Sequence, residues 1–487
     1  MEKSVIIIGS GLGGLECGYI LAKKGFLVTI LEQAAKPGGC LQSFRRGGHV
    51  FDTGLHYVGG LDEGQSLRPF FEYFGLMDLP WRRMDPDCVD EIVIGEQSFP
   101  LASGHDSFVE RLAERFPAER NNLKEYVRFL QKIGDDIFKT FEGGNVVMNN
   151  LLGRSAYEYL NETIKNPLLR QVLSGAFMRM ELRETLPLYV FAQINDSFIQ
   201  SAWKLEGGGD RMVGRMVDSI TAMGGTVRTN AKVTSIKAVS GKVSEVEVNG
   251  SETLKAGWVI SDAHPAVTLS LVSDGLRKVY KERISALDNT FGVFTANICL
   301  KPGGMVCPDG NIFIHREGID LWHPDPSATE SVMVHFYPEA QGSVTHLDLL
   351  SPMSFTSGNE DDKYSLSTTG KMASSKGERY ESTKRWKLRE CLDLVSSRLP
   401  WLEDGIESVS TSTPLTYSRY TSTPQGSAFG IRHDCSTPLR TIISPRTPLK
   451  NLLFTGQSLN LHGLLGVSMT SILTCREILG KDFISLH

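Results

Sequence analysis

The first 32 residues constrain this chain more than any other stretch. Val5-Ile6-Ile7-Ile8 is a short run of branched apolar residues, the pattern of a strand buried on both faces. Gly9-Ser10-Gly11-Leu12-Gly13-Gly14 follows at once, then a helical segment from Leu15 to Lys24 that stops at Gly25. Phe26 to Leu31 reads as a second strand, with Glu32 at its end. Strand, glycine turn, helix, strand and acid is the order that grips an adenine dinucleotide. Gly9 permits the tight turn, Gly11 lets backbone approach a pyrophosphate, and Gly14 lets helix and strand pack closely. The helix start offers free N–H groups and a positive dipole end to phosphates. Glu32 lies eighteen residues past Gly14, where a carboxylate can accept ribose hydroxyls.

The remaining length requires more than this unit. At 487 residues the chain exceeds one average domain, and two or three are expected. Hydrophobic residues are 41% and charged residues 22%, enough for a large core. A net charge of −5 gives no global drive toward nucleic acid or acidic lipid. No apolar run approaches the roughly 18 residues of a membrane span. The first strand begins at residue 4 or 5, which leaves no room for a signal or transit peptide. Eight scattered cysteines form no CxxC pair, so reduced thiols in a cytoplasmic protein, and no metal site, are expected.

Past Glu32, Pro37-Gly38-Gly39-Cys40 lets a loop fold back over the dinucleotide. Taken together, Ile8-Gly9-x-Gly11-x-x-Gly14-x-x-x-Gly18, Glu32 and Gly38-Gly39 resemble the extended FAD signature of the glutathione-reductase-like flavoproteins. Phe51-Asp52-Thr53-Gly54-Leu55-His56-Tyr57-Val58-Gly59-Gly60 is similar to a stretch of the phytoene desaturase, carotenoid isomerase and retinol saturase group. So is Thr413-Pro414-Leu415-Thr416-x-x-x-Tyr420-x-x-x-Pro424-x-Gly426-x-x-Phe429-Gly430, with Phe429 where that group often has tyrosine. The resemblance implies FAD held by Gly9, Gly11, Leu12, Gly14, Glu32, Gly38 and Gly39, with Val233 near the adenine. It also implies that Gly456, Gln457, Gly466 and Val467 of the C-terminal segment face the cofactor; Gln457 stands where many such proteins carry Asp. By the same resemblance, His56, Tyr57, Tyr420 and His462 are the polar side chains near the flavin ring.

Apolar spacing predicts helices over 68–77, 106–116, 121–141, 167–180, 212–223, 379–399 and from His462 to about Leu479. Strands are predicted over 92–99 around a turn, and over 227–236, 243–248 and 258–261, with a hairpin turn at Asn249-Gly250. Further strands are predicted over 290–300, 311–315, 331–336 and 343–350. Ser354 to Lys376 is polar and reads as an exposed loop, a candidate gate. Phe177, Met178, Met180, Phe191, Phe198 and Trp203 are candidates for lining an apolar cavity.

The expected fold is α/β (α+β overall). A discontinuous Rossmann-like FAD domain is made from 1–60, 205–265 and 439–487. A substrate domain of antiparallel sheet and helices is made from 61–204 and 266–438. The implied activity is FAD-dependent redox at a carbon–carbon bond of a polyene, retinoid or carotenoid-like lipid. A substrate that apolar implies peripheral membrane contact. Two alternatives share the fold: a flavin amine or amino-acid oxidase, and a non-enzymatic prenyl-lipid escort. The intact glycine set and Glu32 count against an escort without flavin.

Overall fold

The computed structural model describes residues 3–135, 150–303, 305–306, 309–325, 327–338, 343–354, 374–480 and 483. The strand β1 (Ser4–Ile8), the helix α1 (Leu12–Lys23) and the strand β2 (Leu27–Leu31) form the expected opening unit. β1 lies at the middle of a five-stranded parallel sheet. Its order is Thr226–Arg228, β2, β1, Trp258–Ser261 and Leu452–Phe454, so the chain returns to this sheet from far along the sequence. Ile7 pairs with Ile30 on one side and Ile260 on the other, and all three are fully buried. α1 packs against Asp210–Ala222 and against the last helix, Gly463–Leu479. Gly18 lets α1 lie close to the sheet, since a Cβ there would lie 2.8 Å from Ile30.

The predicted strand over 227–236 is corrected to two strands in different sheets. Thr226–Arg228 joins the parallel sheet, whereas Val233–Val239 starts an antiparallel sheet with Lys242–Val248 and Glu252–Leu254. Asn230 takes a left-handed φ of 52° between them, which turns the chain out of the first sheet. Asn249 and Gly250, with φ of 54° and 70°, make the expected hairpin turn.

The second large sheet runs Ile406–Ser412, Gly292–Leu300, Ser343–Met353, Ser331–Pro338, Asn311–His315, Asp90–Ile94 and Gln97–Leu101. Only the pairing of Asn311–His315 with Asp90–Ile94 on this path is parallel. Alternation along its strands divides two environments. Phe294, Ile312, Val334 and Leu349 pack with the helix Ser374–Ser396 in one cluster. Their neighbours Val293, Phe313, Met333 and Leu350 face the opposite way, toward a helical layer that includes Arg120–Asp135 and Leu188–Gln200.

One helix expectation and one loop expectation are corrected. The segment 167–180 is a helix only over Pro167–Ser174, capped by Asn166, and then a tight 3₁₀ turn over Phe177–Arg179. Gly175 follows it at the crossing of the sheet, where a Cβ would sit 2.4 Å from Ile92. The expected loop over 354–376 is shortened at its end, since Ser374 already belongs to the helix Ser374–Ser396. Residues 355–373, and the end of the helix expected over 121–141, lie outside the described residues.

Gly175→Val forces a branched side chain against Ile92 and is expected to destabilise the protein by about 1–3 kcal/mol. Adding Ile92→Ala should restore part of the loss, as followed by urea unfolding.

Candidate active site

The loop that ends β1 and the loops after Trp258–Ser261 and Leu452–Phe454 meet at the start of α1. The crevice beyond the carboxyl ends of parallel strands is the usual place for a ligand. A cavity of about 650 Å³ opens there and continues to the second sheet. Gly9, Gly11, Leu12, Glu32, Gly38 and Gly39 line it, as do Val233, Gly456, Gln457 and Val467. Gly14 and Gly466 stand behind the lining as packing positions. A Cβ on Gly14 would meet the Gly9 carbonyl at 2.2 Å, and one on Gly466 the Leu461 carbonyl at 2.3 Å.

Glu32 is buried, and its oxygens are already engaged. One accepts from the Ser10 N–H at 3.0 Å and the Ser10 hydroxyl at 2.6 Å, the other from the Ala34 N–H at 2.8 Å. This fixes the carboxylate against the glycine turn. Gln457 lines the cavity while its amide donates to the Ala428 carbonyl at 3.2 Å.

Asp262 is a residue that sequence reasoning passed over. Its carboxylate lies between the two glycine turns. A Cβ on Gly11, Gly13 or Gly456 would come within 2.5, 2.6 and 2.5 Å of it. Burial pushes this carboxyl up to about 7, and Glu32 adds to the rise; the backbone N–H groups of Gly14 and Gly11 oppose it. The available signal was its position just past a strand that neighbours β1, which aims it at the helix start. The cradle of bare backbone and free helix N–H groups fits a pyrophosphate, and Glu32 fits a ribose.

Three of the four polar candidates come together. The Tyr57 hydroxyl donates to Asp90 Oδ2 at 3.1 Å and accepts from Arg179 Nε at 3.0 Å. Arg179 Nη2 also bonds Asp90 Oδ2, and Asn311 donates to Asp90 Oδ1 at 2.9 Å. His462 Nε2 lies 2.9 Å from the Arg179 carbonyl, which can only accept, so this nitrogen carries the proton. The His462 ring stacks on Phe429 at 4.3 Å, the position where a tyrosine was expected by resemblance. His56 packs on His335 at 4.9 Å, and its buried Nδ1 has no hydrogen-bond partner among the described residues.

Tyr420 stands apart from the other three. It is 67% exposed at the cavity rim, and its carbonyl takes the Gln33 amide beside Glu32. Tyr417, one turn earlier, is the half-buried tyrosine of that helix; its hydroxyl lies 3.1 Å from Thr295 Oγ1. Of the apolar candidates, Met178 and Phe198 line the cavity, whereas Phe177, Met180 and Phe191 are core residues and Trp203 pairs in a small sheet.

Burial holds both His56 and His462 down at about 4, with Lys204 adding to the effect on His56; hydrogen bonding to the Arg179 carbonyl opposes it at His462. Both rings are therefore neutral at pH 7. Burial raises the Tyr57 hydroxyl above its ordinary value, so it stays protonated. Beside these groups burial holds Lys204 down at about 8, and Asp262, at the glycine turn, is pushed up to about 7.

Residues 7–74 match the family of NAD(P)-binding Rossmann-like domains. Over 98% of its length the chain is 26% identical to the all-trans-retinol 13,14-reductase of Danio rerio, covering 86% of that protein. It is 24% identical to a 4,4'-diaponeurosporene oxygenase of Staphylococcus aureus over 54% of this chain and 56% of that one. A putrescine oxidase structure superimposes with a TM-score of 0.66 at 15% identity, covering 98% of this chain and 99% of that one. The two relatives bear out the resemblance drawn from the motifs. The family match and the superimposed structure bear out the fold class, a Rossmann-like unit joined to mixed helices and sheet. Together they support a flavin-type cofactor.

The Asp262 carboxyl is raised, so its neutral form persists below about pH 7 and the anion appears above it. The anion repels a pyrophosphate. Dinucleotide affinity is expected to fall several-fold between pH 6 and pH 8. Asp262→Asn should bind more tightly at pH 8 and lose most of this dependence, as read by fluorescence titration.

Proposed function

We infer that this chain, similar over nearly its full length to the retinol 13,14-reductases, is an FAD-dependent oxidoreductase acting on a carbon–carbon bond of a polyene lipid. Saturation, desaturation and isomerisation belong to this class. The observation that carries the reading is a single cavity that joins the glycine cradle and Glu32 to a wall of Val293, Phe313, Met333 and Leu350. The first part suits an adenine dinucleotide and the second an extended apolar chain.

The FAD domain is discontinuous, over 1–60, 205–265 and 439–487, and the substrate domain takes 61–204 and 266–438. The five parallel strands drawn from the first three stretches support this division. FAD is held non-covalently by Gly9, Gly11, Leu12, Glu32, Gly38, Gly39, Val233, Gly456, Gln457 and Val467, with Gly14 and Gly466 keeping the helices close. When bound, the flavin supplies two-electron chemistry at carbon, and the protein supplies position and exclusion of water. The apolar wall keeps solvent from the polyene. Tyr57 and His462 are locked in orientation by Arg179, and neither histidine ring carries charge at neutral pH. A polyene delocalises developing charge along its own bonds, so no strong acid or base is required.

The likeness to an amine oxidase extends to the fold alone. Both oxygens of Asp90, a carboxylate beside the cavity wall, are spent on Arg179, Tyr57 and Asn311, which leaves it no role in holding a cationic amine. An escort without flavin has no use for the glycine cradle. Among the described residues no helix is long and apolar enough to cross a membrane. Contact with a bilayer is peripheral, through apolar and basic side chains near the substrate entrance.

Gly11→Val should fold but lose nearly all FAD, because its side chain fills the pyrophosphate approach; retention of full flavin absorbance overturns the cofactor assignment. Replacing His56, Tyr57, Tyr420 or His462 singly with Phe should slow anaerobic reoxidation of reduced flavin by polyene less than about 10²-fold, the lower bound for a general acid–base group. A larger loss at unchanged FAD content identifies such a group. Flotation with liposomes tests the peripheral contact, and a protein found only in the soluble fraction rejects it.

A further inference from the structure

Two buried polar groups beside the cavity each lack a partner that the other could supply. Lys204 lies in the strand Ala202–Leu205 and is buried. Its ammonium donates to the Asp309 carbonyl at 3.1 Å and to the Phe336 carbonyl at 3.2 Å. Among the described residues its third N–H has no acceptor. His56 lines the cavity, and its buried Nδ1 has no hydrogen-bond partner among the described residues. Two contacts bring the groups together. Val58, two residues past His56, pairs with Trp203, the neighbour of Lys204. The His56 ring packs at 4.9 Å on His335, and the next residue, Phe336, supplies a carbonyl to Lys204. A buried donor and a buried acceptor without partners are each unfavourable, and one bridging water satisfies both.

The reaction class needs a proton inside this dry site. Saturating a carbon–carbon double bond adds a hydride at one carbon, supplied by reduced flavin, and a proton at the next; desaturation reverses both. The other proton-bearing groups of the wall are committed. Tyr57 gives its proton to Asp90, and His462 holds its own on the Arg179 carbonyl. Arg179 does not release one. His335 Nδ1 holds its proton on Asn311 Oδ1, because the Asn311 amide nitrogen donates to Asp90. Lys204 differs. Burial holds it down at about 8 against the pull of Asp309 and Asp90, and Arg82 adds to the fall. His56 and His335 beside it are neutral at pH 7. Lys204 therefore carries a proton that it can release. Asp309 is partly exposed and paired with Arg82, which puts solvent one residue from the ammonium.

We propose that Lys204 and His56 form a proton relay between solvent and the substrate carbon, with Lys204 as the source and His56 as the group that meets the polyene. This rests on the polyene reading of the cavity. In saturation the substrate carbon takes a proton from one ring nitrogen of His56 while Nδ1 receives one from Lys204. Lys204 is then reprotonated from solvent at Asp309, and in desaturation each transfer reverses. The hydride and this proton complete the two new C–H bonds, so no further reactant is needed.

The test is the pH profile of a single turnover. Flavin-loaded protein is reduced anaerobically and mixed with all-trans-retinol. Flavin reoxidation is followed from about pH 7.5 to about pH 9.5, above the transition of Asp262. The unaltered protein is expected to slow several-fold as Lys204 loses its proton near pH 8, and to level at the rate of the variants. The fall is modest because the polyene delocalises charge. Lys204→Arg keeps the cation but holds its proton at every pH used, Lys204→Met removes both, and His56→Phe breaks the connection. All three should run several-fold slower at about pH 7.5 and show no break. Flavin absorbance and the thermal midpoint identify a variant that has lost its fold, and the remaining variants then decide. Titrated without substrate, the unaltered protein should release about one proton more than Lys204→Met between about pH 7 and about pH 9. Lys204→Arg running at the unaltered rate, a break that survives in the variants, or no break and no extra proton overturns the relay alone. Retinol that leaves the flavin reduced at every pH overturns it together with the polyene reading.

Discussion

One buried ion pair ties the parts of this protein together. Asp90 opens a strand of the second sheet, and Arg179 ends the tight turn after Pro167–Ser174. Tyr57 belongs to the loop that leaves the N-terminal segment, and Asn311 to the neighbouring strand. The Arg179 carbonyl holds His462, which caps the last helix. Three distant stretches of chain converge on a single carboxylate. Such a pair contributes little net stability, because desolvation offsets much of the attraction, but removing one partner is severely destabilising. Its effect is to specify one arrangement of helical layer, sheet and nucleotide unit, and with it the shape of the cavity between them.

The same economy appears in the second sheet. Period-two alternation gives each strand two roles at once. Phe294 and Val334 build the core beneath Ser374–Ser396, and the adjacent Val293 and Met333 build the cavity wall. Wall and core cannot vary independently, since a shift of one residue would exchange them. The cavity is therefore as rigid as the sheet that forms it.

Much of this was legible in the sequence, and for a local reason. The opening unit is read within 32 contiguous residues, where glycine spacing and periodicity agree. Four strands of the second sheet are equally local in their signal, and their bounds shift by at most three residues. What stayed hidden depends on long-range contact. The strand expected over 227–236 divides because Asn230 turns the chain toward a different sheet. Gly175 is a glycine because Ile92, far earlier in the chain, lies against it. At the site, the glycines and Glu32 carry a motif, whereas Asp90, Arg179, Asp262 and Tyr417 carry none. Each is an ordinary polar residue beside apolar ones, and only the fold aims it inward. Tyr420 shows the converse, since a residue inside a family-like pattern stands at the rim.

The order of the five parallel strands also bears on how this protein is made. Strand pairing places Leu452–Phe454 beside Trp258–Ser261, which itself lies beside β1. During synthesis the glycine-rich turn emerges first, yet the loop carrying Gly456 that closes over it emerges last. At typical elongation rates this interval is on the order of tens of seconds. Throughout it the nascent chain exposes one edge of an apolar parallel sheet with no strand to cover it, a surface that invites pairing with other chains. Completion of the nucleotide fold thus waits on its final strand and helix.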